Sequence, residues 1–145
     1  MVPVLLHNIE FATGQRPCSR KYFGCCHAHG RIYVLGGSAN TLLNDMRSFS
    51  LSTESWRTEG NQEGMAGAQG DEASPRERGR FESGMKELDS LQARFGFSMC
   101  SYMDRFIVVF GGAGKYMTRL KRRETYDDLY IWDAANSDNV GPSSF

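Results

Sequence analysis

The chain has 145 residues, of which 17 are basic and 17 are acidic, so its formal net charge is zero. This length fits a single domain, and balanced charge argues against a general nucleic-acid binder, which normally carries a basic surplus. No run of about 18 apolar residues is present, which excludes a membrane-spanning helix, and the N-terminal stretch lacks the basic start of a secretory signal. We therefore expect a soluble protein of the cytoplasm or the nucleus.

Two units of the chain share one order of residues, and a segment of different composition separates them. The first unit spans residues 14–58 and the second spans residues 93–140, with residues 1–13 before them and residues 141–145 as a tail. In each unit an arginine leads into a strand-like stretch, a tight turn, an apolar run that ends in Gly-Gly, a polar loop and an aspartate. Self-similarity of this kind is typical of a repeat architecture.

Short β-branched and aromatic runs flanked by turn residues indicate that both units are all-β. The runs at 32–35 and 106–110, IYVL and FIVVF, have the composition of strands. His-Gly at 29–30 and Asp-Arg at 104–105 predict tight hairpin turns, and Ser-Thr-Glu at 52–54 predicts a further turn. Each unit is therefore expected to form four short antiparallel strands.

Residues 59–92, between the two units, have the composition of a disordered insertion. They are rich in Gly, Glu, Gln and Ser, and they contain eight acidic against four basic residues. Such a segment buries too little apolar surface to offset its ordering entropy. Apolar residues near helical spacing at 81–91 leave a short helix open, although a solvated loop is favoured. Ser74, before a proline and close to arginines, is a candidate phosphorylation site.

The second unit has a long polar loop after its glycine pair, at residues 113–127, and this loop is strongly basic. The matching loop of the first unit, SANTLLN, carries no charge. In a four-stranded antiparallel unit this loop and the 59–92 insertion leave from the same end, so we expect both on one face, where binding loops concentrate. A solvated loop is the alternative to a docking site for an acidic or phosphorylated segment. The predicted partner-binding residues are Lys115, Arg119, Lys121, Arg122 and Arg123.

The ordered residues of the two units resemble the kelch repeat, which forms one blade of a β-propeller. The matching residues of the first unit are Arg20, Gly36, Gly37, Asp45 and Trp56. Those of the second unit are Arg94, Gly111, Gly112, Asp128, Tyr130 and Trp132. The resemblance implies four-stranded antiparallel blades, in which these residues have structural roles and Trp56 wedges between neighbouring sheets.

Two blades form an incomplete ring, because closed propellers contain about four to eight blades. The resemblance therefore implies further blades or self-association, and it makes residues 1–13 a strand of a preceding or closing blade. Two departures are visible. Tyr22-Phe23 stands where the family often has Gly-His, and Asn139 stands where a tryptophan is expected, which indicates an incomplete last strand.

The four cysteines and three histidines do not form a convincing metal site. Cys25 and Cys26 are adjacent, so on a strand they point to opposite faces. His27 and His29 share one strand face, but a fourth ligand for zinc is missing. Without a secretory signal, the cysteines are expected to be free thiols rather than disulfides.

The predicted function is that of a non-catalytic protein-interaction module or scaffold, which is what the kelch resemblance implies. The sequence contains no phosphate-binding loop, no Gly-x-Ser-x-Gly and no His-Glu-x-x-His. We therefore predict no catalytic, cofactor-binding or metal-binding residues. The alternatives are a fragment of a metal-dependent propeller enzyme, or an RNA or phosphate contact through residues 115–123.

Overall fold

The computed structural model describes residues 12–59 and 91–136, and these residues form strands and turns without an α-helix. The first described stretch is a single sheet of strand order β1-β5-β4-β3-β2, which we call blade 1. Its strands are β1 (Thr13–Gly14), β2 (Gly24–Ala28), β3 (Arg31–Ser38), β4 (Leu42–Ser50) and β5 (Ser55–Glu59).

Blade 1 confirms the four antiparallel strands that the sequence predicts. Strands β2 to β5 pair antiparallel in chain order, and the short β1 lies parallel to β5 at the outer edge. His29 and Gly30 both have positive φ, 48° and 71°, as the two-residue turn between β2 and β3 requires. A bulge separates Leu35 from Gly37 in β3, at the glycine pair.

The second described stretch forms a three-stranded sheet of order β10-β7-β6, which we call blade 2, and a separate two-stranded ribbon. The strands of blade 2 are β6 (Ser98–Tyr102), β7 (Phe106–Phe110) and β10 (Leu129–Asp133). The left-handed residues of its hairpin turn are Met103 and Asp104, one position earlier than the predicted pair. The position of a fourth strand, including Asn139, lies outside the described residues.

The expected polar loop at residues 113–127 is instead an ordered ribbon, so the prediction of a loop without strands is wrong. Strand β8 (Ala113–Met117) pairs antiparallel with β9 (Arg122–Thr125). A turn of 3₁₀-helix over Thr118–Leu120 and a left-handed Lys121, with φ of 51°, connect them. We call residues 113–125 the basic ribbon. Its charges mask the strand signal, because no apolar alternation marks either strand.

The apolar core lies between the two blades, and it is built from facing sheet surfaces. Strand β2 of blade 1 lies beside β6 of blade 2. The ring of Trp132 meets that of Tyr33 edge to face, with centroids 5.3 Å apart. The buried core residues are Ala28, Tyr33, Leu35, Met46, Leu91, Ile107, Val109 and Ala134.

Within the described residues, the interblade contact expected of Trp56 is made instead by Trp132. Trp56 packs on Phe49 of its own sheet, with ring centroids 5.1 Å apart. Among the described residues it is Trp132 that reaches into the neighbouring blade. The reason is their strand: Trp56 lies on the outer strand β5, whereas Trp132 lies on β10 opposite the buried Ile107.

The ends of the 59–92 insertion lie at one end of blade 1. Glu59 pairs with Met46, which places the end of β5 at the same end as the β3–β4 turn. At the other end of the insertion, the Asn44 side chain donates to the Leu91 carbonyl at 3.3 Å. Residues 60–90, with Ser74 and the predicted disorder or helix, lie outside the described residues. Residues 1–11 of the predicted 1–13 strand and the 141–145 tail also lie outside the described residues.

Candidate functional site

Each blade contains a two-pronged arginine–aspartate pair, and the arginine also donates a hydrogen bond to the first glycine of the glycine pair. In blade 1, Arg20 donates to both carboxylate oxygens of Asp45 at 2.8 and 2.9 Å. The same guanidinium donates to the Gly36 carbonyl at 3.1 Å. Burial opposes ionisation of Asp45, but the hydrogen bonds from Arg20 and Arg47 outweigh it, so the pKa of Asp45 is lowered.

Blade 2 repeats this arrangement with a more deeply buried arginine. Arg94 donates to the two carboxylate oxygens of Asp128 at 2.6 and 2.9 Å and to the Gly111 carbonyl at 3.0 Å. Its side chain is fully buried and lies over the rings of Tyr126 and Tyr130, 4.4 and 5.3 Å from their centroids. The hydrogen bond from Arg94 lowers the pKa of Asp128.

The second glycine of each pair is required by space as well as by backbone angle. Gly37 and Gly112 have φ of 95° and 97°. A Cβ on Gly37 would lie 2.8 Å from the Lys21 carbonyl oxygen, and one on Gly112 would lie 3.0 Å from that of Phe95. Both carbonyls belong to matching bridges, because Lys21 pairs with Ser38 and Phe95 pairs with Ala113. The two units are thus equivalent in detail.

With this geometry in place, comparison with known families assigns the repeat. The kelch motif family matches residues 19–61. Residues 19–61 therefore carry a kelch repeat, and the antiparallel sheets of both blades are consistent with a partial kelch-type β-propeller. Kelch motifs generally serve as protein-interaction modules. No curated protein matches the sequence.

The basic ribbon is fixed at its base to blade 2. The Tyr126 amide donates to the Gly112 carbonyl at 2.9 Å, and the Gly111 amide donates to the Asp128 carbonyl at 3.2 Å. Backbone hydrogen bonds of 2.9 and 3.0 Å also join Phe95 and Ala113 in both directions. The ribbon is therefore hydrogen-bonded to the rest of the second unit at the positions where it begins and ends.

Tyr126 adds a side-chain anchor below the ribbon. Its ring lies against Gly114 so closely that a Cβ there would overlap the ring. Its hydroxyl donates to a carboxylate oxygen of Glu124 at 3.0 Å. Burial and the neighbouring Glu124 carboxylate raise the pKa of Tyr126 to about 12. The hydroxyl therefore remains a donor throughout the physiological pH range.

All five predicted partner-binding residues lie on the basic ribbon, and all five are exposed. Arg123 also donates to the Gly114 carbonyl at 3.3 Å and lies 5.1 Å from the centroid of the Phe95 ring. Tyr116, opposite Arg123 in register, is 55% exposed. The charges of this surface are visible in the sequence, but its aromatic contacts are not. Phe95 is distant in sequence from the ribbon, and the pairing of Tyr116 with Arg123 depends on strands that the sequence does not predict. The list of predicted residues is Lys115, Arg119, Lys121, Arg122 and Arg123.

The cysteines and histidines form no metal-binding group within the described residues. All four cysteines are free thiols. Burial, followed by the nearby Cys25 and Cys100, raises the pKa of Cys26 to about 12, so this thiol stays protonated at neutral pH. His27 instead lies 3.5 Å from the Asp104 carboxylate, across the two hairpin turns.

The space between the blades is a packing gap rather than a substrate pocket. It admits about 20 Å³, roughly the room that one water molecule needs, and its lining is apolar. In the part of the chain that the structure describes, no helix is long and apolar enough to cross a membrane.

Proposed function

We propose that this protein is a non-catalytic interaction module that binds an acidic or phosphorylated segment of another protein through the basic ribbon. The observation that carries the proposal is the contrast between equivalent connections. Blade 1 joins β3 to β4 by a short turn without charge, whereas blade 2 builds an ordered ribbon with five exposed cations at the same position.

The rigid base of the ribbon supports this proposal. A flexible loop loses conformational entropy when it binds, and that loss weakens binding. The ribbon is already ordered by the backbone hydrogen bonds of Phe95 and Tyr126 and by the burial of the Tyr126 ring. Its cations are thus displayed on a preformed surface.

The charges themselves are suited to partner selection. Exposed cations attract an acidic segment over about one Debye length, roughly 8 Å at physiological salt, and they accelerate its association. Phosphate groups fit the same surface, because arginine pairs with phosphate through two parallel hydrogen bonds. Binding is therefore expected to weaken steeply as salt is raised.

The test measures binding of a labelled synthetic glutamate-rich peptide to the intact chain by fluorescence anisotropy. In the first variant Arg119, Lys121 and Arg122 are replaced by serine. Each exposed ion pair contributes about 0.5 kcal/mol, so loss of three should weaken binding about tenfold and flatten its salt dependence.

A matched variant keeps the charge and changes only the side chains, with Arg119→Lys, Lys121→Arg and Arg122→Lys. This variant should bind the glutamate-rich peptide within about twofold of the unmodified chain, because it keeps the number of exposed cations that attract the peptide. Equal affinities for the unmodified chain and the serine variant, at every salt concentration, would overturn the proposal.

A further inference from the structure

Cations and aromatic rings form a continuous row that crosses from blade 1 to the basic ribbon. The Lys21 ammonium lies 5.7 Å from the centroid of the Tyr22 ring, and the Tyr22 and Phe95 centroids are 6.0 Å apart. The Arg123 guanidinium lies 5.1 Å from the Phe95 centroid, and Tyr116 faces Arg123 across the ribbon. We call these five residues the cation–aromatic row.

Tyr22 occupies a backbone conformation that the other unit gives to glycine. Its φ is 57°, and the equivalent residue, two positions after the arginine of blade 2, is Gly96 with φ of 63°. A bulky residue in the left-handed region is strained. Burial does not compensate for this strain, because the Tyr22 side chain is 63% exposed. Strain retained at an exposed ring points to a role in binding rather than in folding.

The backbone holds this ring beside the second blade. The Gly96 amide donates to the Tyr22 carbonyl at 2.9 Å, which links the two blades at this point. Phe95, the residue before Gly96, is joined to Ala113 at the start of the ribbon. The row and the basic ribbon are therefore parts of one surface.

We infer that the cation–aromatic row extends the partner site and selects an extended acidic peptide in which apolar side chains alternate with carboxylates. This inference rests on the proposed function and names its ligand more closely. The exposed rings of Tyr22 and Tyr116 offer apolar contact, and Lys21 and Arg123 beside the rings offer positive charge. Aromatic residues and arginines are the side chains that dominate binding at protein interfaces.

The arrangement favours a peptide over single-stranded RNA. Nucleobases bind by stacking on free aromatic faces. A face of the Tyr22 ring already carries Lys21, and a face of the Phe95 ring already carries Arg123. The rings thus position cations for carboxylates and leave less surface for bases.

The test replaces Tyr22 with glycine in the intact chain and uses a labelled synthetic peptide in which glutamates alternate with leucines. Tyr22→Gly should weaken binding about fivefold, the usual effect of truncating an interface aromatic residue. The melting temperature should stay within about 4 °C, because the glycine relieves the strained φ while the ring loses few contacts. The salt dependence should not change, since no charge is removed.

Tyr102→Ser is the matched control, since Tyr102 is 61% exposed at the hairpin end of blade 2, away from the ribbon. It should leave peptide affinity unchanged. Unaltered affinity of Tyr22→Gly would overturn this inference, while loss of binding in the ribbon serine variant would still support the proposed function. If neither variant changes affinity, both fail. Tighter binding of a labelled oligouridylate than of the peptide, weakened by Tyr22→Gly, would also overturn the inference in favour of RNA.

Discussion

The two blades share one frame and differ in what is built on it. Both place an arginine on an aspartate and on a glycine carbonyl, and both use a second glycine where a bridge passes closely. Blade 1 then joins β3 to β4 by a charge-free turn, whereas blade 2 has the basic ribbon at the same position. Features that occur twice therefore maintain the fold, and features that occur once identify the candidate binding surface.

The two blades also differ in how far their equivalent apolar residues are exposed. Leu35 and Met46 of blade 1 are 0% and 2% exposed beneath blade 2. Their equivalents in blade 2, Phe110 and Leu129, are 50% and 59% exposed. These two repeat positions are thus buried in blade 1 and exposed in blade 2. The effect of a substitution there on stability therefore depends on the blade.

The largest predicted effect comes from the paired arginines. Arg94→Ala should lower the free energy of unfolding by about 3 kcal/mol, because it leaves Asp128 without its cation and removes the stacking on Tyr126 and Tyr130. Arg20→Ala should cost about 2 kcal/mol, since Asp45 keeps Arg47 at 3.1 Å. Urea unfolding of the intact chain measures both values.

Lysine variants at the same positions control for charge. Arg94→Lys retains the cation but not the two-pronged hydrogen bonding, so its stability should lie between that of the alanine variant and the unmodified chain. A larger loss for Arg20→Ala than for Arg94→Ala would contradict the ranking.

The second glycines should respond alike in the two blades. Gly37→Ala and Gly112→Ala each place a Cβ within about 3 Å of a bridge carbonyl at positive φ. Each should lower stability by about 2 kcal/mol. Gly30→Ala is a suitable comparison, since its φ is also positive but a Cβ there meets no atom within 4 Å. Thermal melts should show a smaller loss for Gly30→Ala, and equal losses for all three would count against the steric explanation.

Acid should destabilise both blades by protonating the aspartates that pair with their arginines, Asp45 in blade 1 and Asp128 in blade 2. The folded pKa values of Asp45 and Asp128 lie below their ordinary value, so both stabilise the fold above the unfolded pKa of about 3.9. This stabilisation is lost as pH falls through the folded values. The melting temperature should be steady from about pH 7 to 5 and should decrease below about pH 4. Variants Asp45→Asn and Asp128→Asn should melt lower at pH 7 and vary less in acid. An unchanged acid response in both would refute this origin.

The last comparison concerns the reactivity of two cysteines at equivalent positions, which involves no change in stability. Cys26 on β2 pairs with Tyr33 and packs against the interblade core, whereas Cys100 on β6 pairs with Val108 and is exposed. Since the pKa of Cys26 is raised to about 12, its thiolate fraction at pH 8 is very small. Iodoacetamide should label Cys100 more than about a hundredfold faster, as mass spectrometry of the intact folded chain can show. Similar rates would mean that the blades separate readily.

Much of the frame was predictable from sequence because its signals are local. The glycine pairs, the paired arginines and aspartates, and the apolar runs of β3 and β7 all lie at fixed spacing within one unit. The turn at His29-Gly30 was predicted for the same reason. The structure confirms the all-β antiparallel blades on these grounds.

The candidate site was only partly predictable because it depends on contacts across the repeat boundary. The charges of the basic ribbon were visible, but its strands were not, since Tyr116 and Arg123 pair without an apolar pattern. The contact between Tyr22 and Phe95 joins residues of different blades. The one local signal was the departure at Tyr22 from the glycine usual in the family.

Hydrogen–deuterium exchange of the intact chain, with and without the acidic peptide of alternating glutamate and leucine, would locate the bound peptide. We expect slower exchange across residues 113–125 and around Tyr22 and Phe95, and no change in the hairpin turn at 102–105. Protection confined to the exposed face of blade 2, at 106–110 and 129–131, with the ribbon unaffected, would contradict the proposed binding site.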